Sequence, residues 1–215
     1  MAPIDVIEAD VWYRDGEIDV RHEPRLGPLP LLFDRRMRGH PLPPMSLRAW
    51  NNYYVRLDIN SLQLDELLDK VGGRRRLLLD VKGEYSASQS SAFAGALFSK
   101  VTGHGATDWV AVCSQFWPVL RRVRKLAPDV EVRYSIESRM QWERFVAMLG
   151  RGDAARKICI QHQFLSDGKA RFLQKQVVEA YCWTVDDSAA ASRLIAMGAD
   201  GIISNDLALL GAIND

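Results

Sequence analysis

The chain has 215 residues, 47% of them hydrophobic, and a formal charge of +1. That is enough for one well-buried core in a single domain spanning 1–215, and the near-neutral balance argues against nucleic acid as a partner. No apolar run approaches the roughly 20 residues that cross a bilayer, and the first residues do not read as a signal peptide.

The first apolar segment, 4–12, reads as a strand and contains Ile7-Glu8-Ala9-Asp10-Val11. Asp15-Gly16 follows as a hairpin turn, and Val20-Arg21-His22-Glu23 returns towards the first strand. Residues 24–61 break the pattern. They are proline-rich first, then aromatic and polar through Trp50-Asn51-Asn52-Tyr53-Tyr54, and we expect an ordered insertion acting as a lid over one end of the fold. From there helices are predicted near 62–71, 88–103, 115–126, 138–149, 166–175 and 187–197. They alternate with strands at 76–82, 108–114, 130–136, 157–164, 178–185 and 200–204. Runs such as Leu77-Leu78-Leu79 and Val110-Ala111-Val112 are apolar on consecutive residues, as strands are when helices cover both faces of a parallel sheet.

This alternation fits an α/β fold, either a TIM-type (β/α) barrel or a doubly wound sheet. Polar residues gather where strands end (Glu8, Asp10, Asp80, Lys82, Arg133, His162, Trp183), as at the carboxyl face of a barrel. No glycine-rich nucleotide fingerprint is present. The barrel is the expectation. The three cysteines, Cys113, Cys159 and Cys182, sit in separate apolar runs, and Cys113 and Cys182 read as packing residues. An odd count without paired spacing implies a reducing, cytoplasmic setting.

Glu8 and Asp10 share one face of an extended strand. Two adjacent carboxylates there suit a hard cation, although a solvated strand end or an ion pair with arginine gives the same spacing. Leu79-Asp80-Val81-Lys82 repeats the geometry. Asp80 then supplies a third carboxylate and Lys82 a point charge for an anion, or the two form a local salt bridge. Together they suit Mg²⁺ or Ca²⁺ holding a phosphate. The hairpin carries His22 back towards this group, where an imidazole can protonate a departing alkoxide. His40 and His104 read as surface residues, and His162 as structural. Trp183 is either core or an apolar wall for substrate carbon.

These segments, in this order, resemble those of the glycerophosphodiester phosphodiesterases. Glu8-Ala9-Asp10, Asp15-Gly16 and His22-Glu23 are similar to that family's E-x-D, D-G and H-D segments, and Asp80-Val81-Lys82 to its E-x-K strand. Trp183-Thr184-Val185 and Gly198-Ala199-Asp200-Gly201-Ile202-Ile203-Ser204-Asn205-Asp206 resemble its W-T-V and terminal glycine–aspartate motifs. The resemblance covers nearly the whole chain. It implies a barrel hydrolase that uses a divalent cation to cleave a small-molecule glycerophosphodiester into an alcohol and glycerol 3-phosphate. Glu8, Asp10 and Asp80 would be metal ligands, His22 the general acid, Lys82 the holder of a phosphate or metal-linked oxygen, and Trp183 a substrate contact. An oligomer is compatible with it.

Three departures shape the expectation. The family's H-R-G strand, with its second histidine, and the P-E-N-T segment have no counterpart before Glu8, so the barrel is expected to be incomplete, with seven strands. Asp80 stands in place of the usual glutamate, and Glu23 in place of the usual aspartate. A catalytically impaired member that binds phosphate or a partner is the alternative, with a barrel isomerase acting on a phosphorylated sugar as a third reading.

Overall fold

The computed structural model describes residues 4–22, 32–35, 41, 45–48, 53–56 and 62–214. Strand β1 (Val6–Arg14) turns through Asp15 and Gly16 into β2 (Glu17–Val20). Both turn residues have positive φ, +50° and +94°, which a two-residue hairpin of matching twist requires and which Asp-Gly supplies at low cost.

Within the 24–61 insertion, the described residues form three short strands, β3 (Leu32–Arg35), β4 (Ser46–Arg48) and β5 (Tyr53–Arg56), paired antiparallel in the order β3-β5-β4. The proline cluster, Trp50, His40 and Glu23 lie outside the described residues, apart from Pro41. The lid role therefore rests on no described contact.

From residue 62 the chain alternates regularly. Strand β6 (Leu62–Gln63) leads into α1 (Leu64–Val71), β7 (Arg76–Val81), α2 (Ala87–Gly103), β8 (Val110–Ser114) and α3 (Trp117–Leu126). Then come β9 (Glu131–Ile136), α4 (Arg139–Gly150), β10 (Lys157–Gln161), α5 (Asp167–Lys175), β11 (Glu179–Trp183), α6 (Ser188–Ala196), β12 (Gly201–Ile202) and α7 (Leu207–Asn214). Helices α2 and α4 open on capping boxes, Ser86 with Gln89 and Ser138 with Gln141.

One sheet runs β12-β11-β10-β9-β8-β7-β1-β2-β6. Its first seven members are all parallel, while β2 and β6 extend it antiparallel beyond β1. Among the described residues β12 and β1 do not pair, so the barrel stays open, as the seven-strand reading expected. A cleft of 360 Å³ lies along this seam, lined by Val6, Glu8, Leu78, Tyr181, Ile202 and Ile203 among others.

The two faces of each strand explain the consecutive apolar runs. Leu77, Leu79, Val110, Val112, Ile158 and Ile160 join the core beneath the helices. The alternate residues Leu78, Ala111, Cys113 and Cys159 form a second, inner cluster, with Tyr181 and Trp183 packed against it. All three cysteines are free and buried.

Arg133 departs from expectation. It does not serve the carboxyl end of its strand. It is 1% exposed and turns back to Glu131 (2.7 Å) and Glu179, with its guanidinium 3.7 Å over the Tyr181 ring. Glu131, Lys157, Glu179 and Arg76 are the first residues of their strands, so this network plugs the amino-terminal end. The period-2 pattern fixes which face a side chain takes, not which way along the barrel axis a long one leans.

No helix among the described residues is long and apolar enough to cross a membrane.

Candidate active site

The parallel register of β1 and β7 sets Asp10 directly beside Asp80, with Glu8 beside Leu78. The inner face of this pair is therefore acidic just where β7 ends. Glu8, Asp10 and Asp80 each present a carboxylate oxygen within 4.8 Å of the others. Lys82 completes the group: its Nζ lies 2.8 Å from Asp10 Oδ1 and 2.5 Å from Asp80 Oδ2.

These charges govern one another. Burial, then the charges of Asp10 and Asp80, push the Glu8 carboxyl up to about 8, with Lys82 opposing the rise. Glu8 itself keeps an open flank, and solvent there screens part of the repulsion. Burial also raises Asp80, less strongly because Lys82 lies against it. Lys82 is held above its ordinary value despite burial, because Asp80 and Asp10 both favour its charge. The cluster thus carries more negative charge than one ammonium balances. Oxygens this close, on three carboxylates, suit one hard cation with ligand distances of about 2.0–2.6 Å.

The hairpin positions His22. Arg21 N–H donates to Asp10 O at 2.8 Å, which brings the returning strand alongside Asp10 one residue before the histidine. Trp12 Nε1 donates to His22 O at 3.2 Å, and the Trp12 ring covers Gly83, where a Cβ would stand 2.7 Å from it. Trp12 therefore ties the His22 backbone to the loop after Lys82. The His22 side chain is exposed.

Beside Asp80 and Lys82 opens a cleft of 310 Å³, lined also by Glu84, Gln115, Phe116 and Gln141. Sequence reasoning had not singled out these last four, which belong to loops and a helix start without a motif of their own. A larger cleft, 950 Å³, lies at the opposite end near Glu131, Lys157 and Glu179. There each carboxylate is already paired with cations, so the converging carboxylates, not cleft size, mark the site.

Trp183, at the end of β11, packs against the inner cluster. The segments around it have structural duties. Asp186 accepts hydrogen bonds from Ser204 Oγ (2.9 Å) and Asn205 N–H (2.8 Å), joining the loops after β11 and β12. These bonds hold its carboxyl below the usual range although burial opposes them. Asp200 accepts from Ala180 N–H at 2.8 Å, and Asp206 caps α7 through Ala208 N–H at 2.9 Å. Gly201 leaves room for the Tyr181 ring, which a Cβ would meet at 2.6 Å.

The sequence model of the glycerophosphoryl diester phosphodiesterase family matches residues 179–208, the stretch that holds Trp183, Asp186, Asp200 and Asp206. The resemblance is borne out over that stretch. No curated protein matches the chain. Among solved structures, a candidate glycerophosphoryl diester phosphodiesterase from Silicibacter pomeroyi superposes with a TM-score of 0.73 at 18% identity, over 98% of this chain and 83% of its own. An Oleispira antarctica phosphodiesterase in complex with the product sn-glycerol-3-phosphate gives 0.70 at 18%, over 99% and 86%. A glycerophosphodiester phosphodiesterase from Parabacteroides distasonis gives 0.65 at 16%, over 96% and 82%. The chain has the fold of these barrels.

Proposed function

We propose that this chain is a phosphoric diester hydrolase, cleaving glycerophosphodiesters to an alcohol and glycerol 3-phosphate with a bound divalent cation, Mg²⁺ or Ca²⁺. The observation that carries the proposal is the meeting of Glu8, Asp10 and Asp80 within 4.8 Å, beside the ammonium of Lys82. The three carboxylates would hold the cation, which when bound would supply Lewis acidity to the phosphoryl oxygens. Lys82, beside them, would hold a non-bridging phosphate oxygen. Water adds to phosphorus as the bond to the alcohol oxygen breaks, protonated His22 gives that oxygen its proton, and the proton shed by the water passes to solvent, from which His22 is reprotonated. Trp183 packs against the carbon skeleton. The near-neutral chain acts on a small molecule, as one barrel domain with the 24–61 insertion. The free, buried cysteines favour a reducing compartment such as the cytoplasm.

The test is release of glycerol 3-phosphate from glycerophosphocholine by the 215-residue chain. Activity should need Mg²⁺ or Ca²⁺, vanish with chelator, fall at least about 10²-fold in Asp80→Asn and fall about 10²–10⁴-fold in His22→Ala. Turnover indifferent to chelator and to Asp80→Asn would refute the reading. A second reading, a phosphate-binding barrel without turnover, draws on the present engagement of Lys82 with both aspartates. It predicts phosphate binding and no product.

A further inference from the structure

On the outer, helical layer of the barrel, α3 and α4 leave a cleft of 540 Å³ between them. Arg121, Arg124 and Lys125 line it from α3, and Arg144 and Arg151 from α4 and its end. All five are exposed. One carboxylate, Asp153, stands among them, and Arg151 Nε already holds it at 3.1 Å. Five cations therefore face one cleft with a single counter-charge.

Helix ends attract cations to their free carbonyls, which accounts for Arg124, Lys125 and Arg151. It does not account for Arg121 and Arg144, which lie in the middle of their helices. Helix α3 contains no acidic residue, so Arg121 repels Arg124 and Lys125 at i+3 and i+4. Three of the guanidinium groups are also fixed in advance. Arg124 donates to Tyr134 Oη at 3.2 Å and to the Asp153 carbonyl. Arg144 lies 5.3 Å over the Trp117 ring, and Asp153 holds Arg151. Cations set in place lose less freedom on binding, and the planar guanidinium fork matches a phosphate bidentately.

The lining narrows the class of anion. Its one apolar side chain, Met148, is buried, and exposed Leu126 at the end of α3 lies outside it. A lipid-binding helix instead sets exposed apolar residues opposite its basic face. A long polyanion would run beyond these two helices onto a chain whose overall charge is only +1. We propose that the α3–α4 cleft binds a compact polyanion, a small molecule carrying two or more phosphate groups, at a site separate from the carboxylate cluster.

The probe is inorganic tripolyphosphate, measured by calorimetry with chelator present, so that the acidic mouth repels anions. Wild type should bind it at least about 10-fold more tightly than inorganic phosphate. Arg121→Gln and Arg144→Gln should each weaken it about 3–10-fold, and together at least about 10-fold. Arg139→Gln, on α4 but outside the cleft and paired with Glu143, should leave binding unchanged, as should Lys82→Met at the mouth. No binding, binding no tighter than that of phosphate, or variants of Arg121 and Arg144 equal to wild type overturns the site. Loss in Lys82→Met also overturns it, by moving the anion to the mouth. Phosphatidylserine vesicles and a single-stranded oligonucleotide are tested alongside. Capture of either that needs Arg121 and Arg144, while tripolyphosphate does not, overturns the compact ligand. Both arginines are exposed, so the variants should melt close to wild type. Binding is read without turnover, so failure of this site and failure of the hydrolase reading register separately.

Discussion

At Lys82 one ammonium lies 2.8 Å from Asp10 and 2.5 Å from Asp80, and its side chain is 30% exposed. It balances two carboxylates that would otherwise repel each other and Glu8. Removing it with Lys82→Met leaves three acids facing one another in a half-buried mouth, at a cost of about 2 kcal/mol. For a domain this size that lowers Tm by roughly 4–8 °C. If the carboxylates hold a cation, Ca²⁺ should recover most of this loss and chelator should expose it in full. Thermal melts of the variant with and without Ca²⁺ read the outcome. A variant equally unstable in both would mean that the acids do not share an ion. The sequence shows these four residues through their i, i+2 spacing on two strands, but not that Lys82 bridges both aspartates, because that depends on the β1–β7 register.

The elements divide by how local their signals are. Strands β7 to β11 were legible to within a few residues because burial on both faces leaves unbroken apolar runs such as Leu77–Leu79. The end of the apolar run at 157–164 misled: beyond Gln161 the chain turns, and His162 falls in the loop. Helix α7 (Leu207–Asn214) had no counterpart in the reading, since Leu207-Ala208-Leu209-Leu210 gives no amphipathic contrast, and its start depends on the Asp206 cap. The strands β3, β4 and β5 are three or four residues long, too short for a pattern to declare itself. Strand β12 is also short, yet its motif is legible through its glycine. A Cβ at Gly201 would meet the Tyr181 ring at 2.6 Å, and that ring is pinned beneath Arg133. Gly201→Ala should therefore destabilise by about 1–3 kcal/mol through overpacking, seen as a lower urea midpoint with an unchanged slope. An unchanged midpoint would show that the ring is free to move.

Over the whole molecule, charge is sorted to the two ends of an apolar barrel. The carboxyl end holds an acidic group that one lysine does not balance. The amino end holds Arg76, Arg133 and Lys157 against Glu131 and Glu179, so that each carboxylate there is paired with at least two cations. This asymmetry assigns chemistry to one end and stability to the other, and it gives stability a distinct pH signature. Burial would raise Glu131 and Glu179, but Lys157 and Arg133 outweigh it and hold both carboxyls below their ordinary values. A carboxyl lowered in the folded state stabilises fully above its unfolded value near 4.3, and that contribution is lost as pH falls through the folded value. Replacing Glu131 with glutamine removes one of the two carboxylates that hold an arginine which is 1% exposed, costing about 1–2 kcal/mol at neutral pH. Below about pH 4 the penalty should shrink, because the wild type loses the same charge by protonation. Melting wild type and Glu131→Gln side by side from pH 7 down to pH 3 should give curves that converge on the acid side. Parallel curves would mean that the amino-terminal network contributes packing and not charge. The contrast with the other end is physical: there, the proposed cation would supply the missing positive charge from outside.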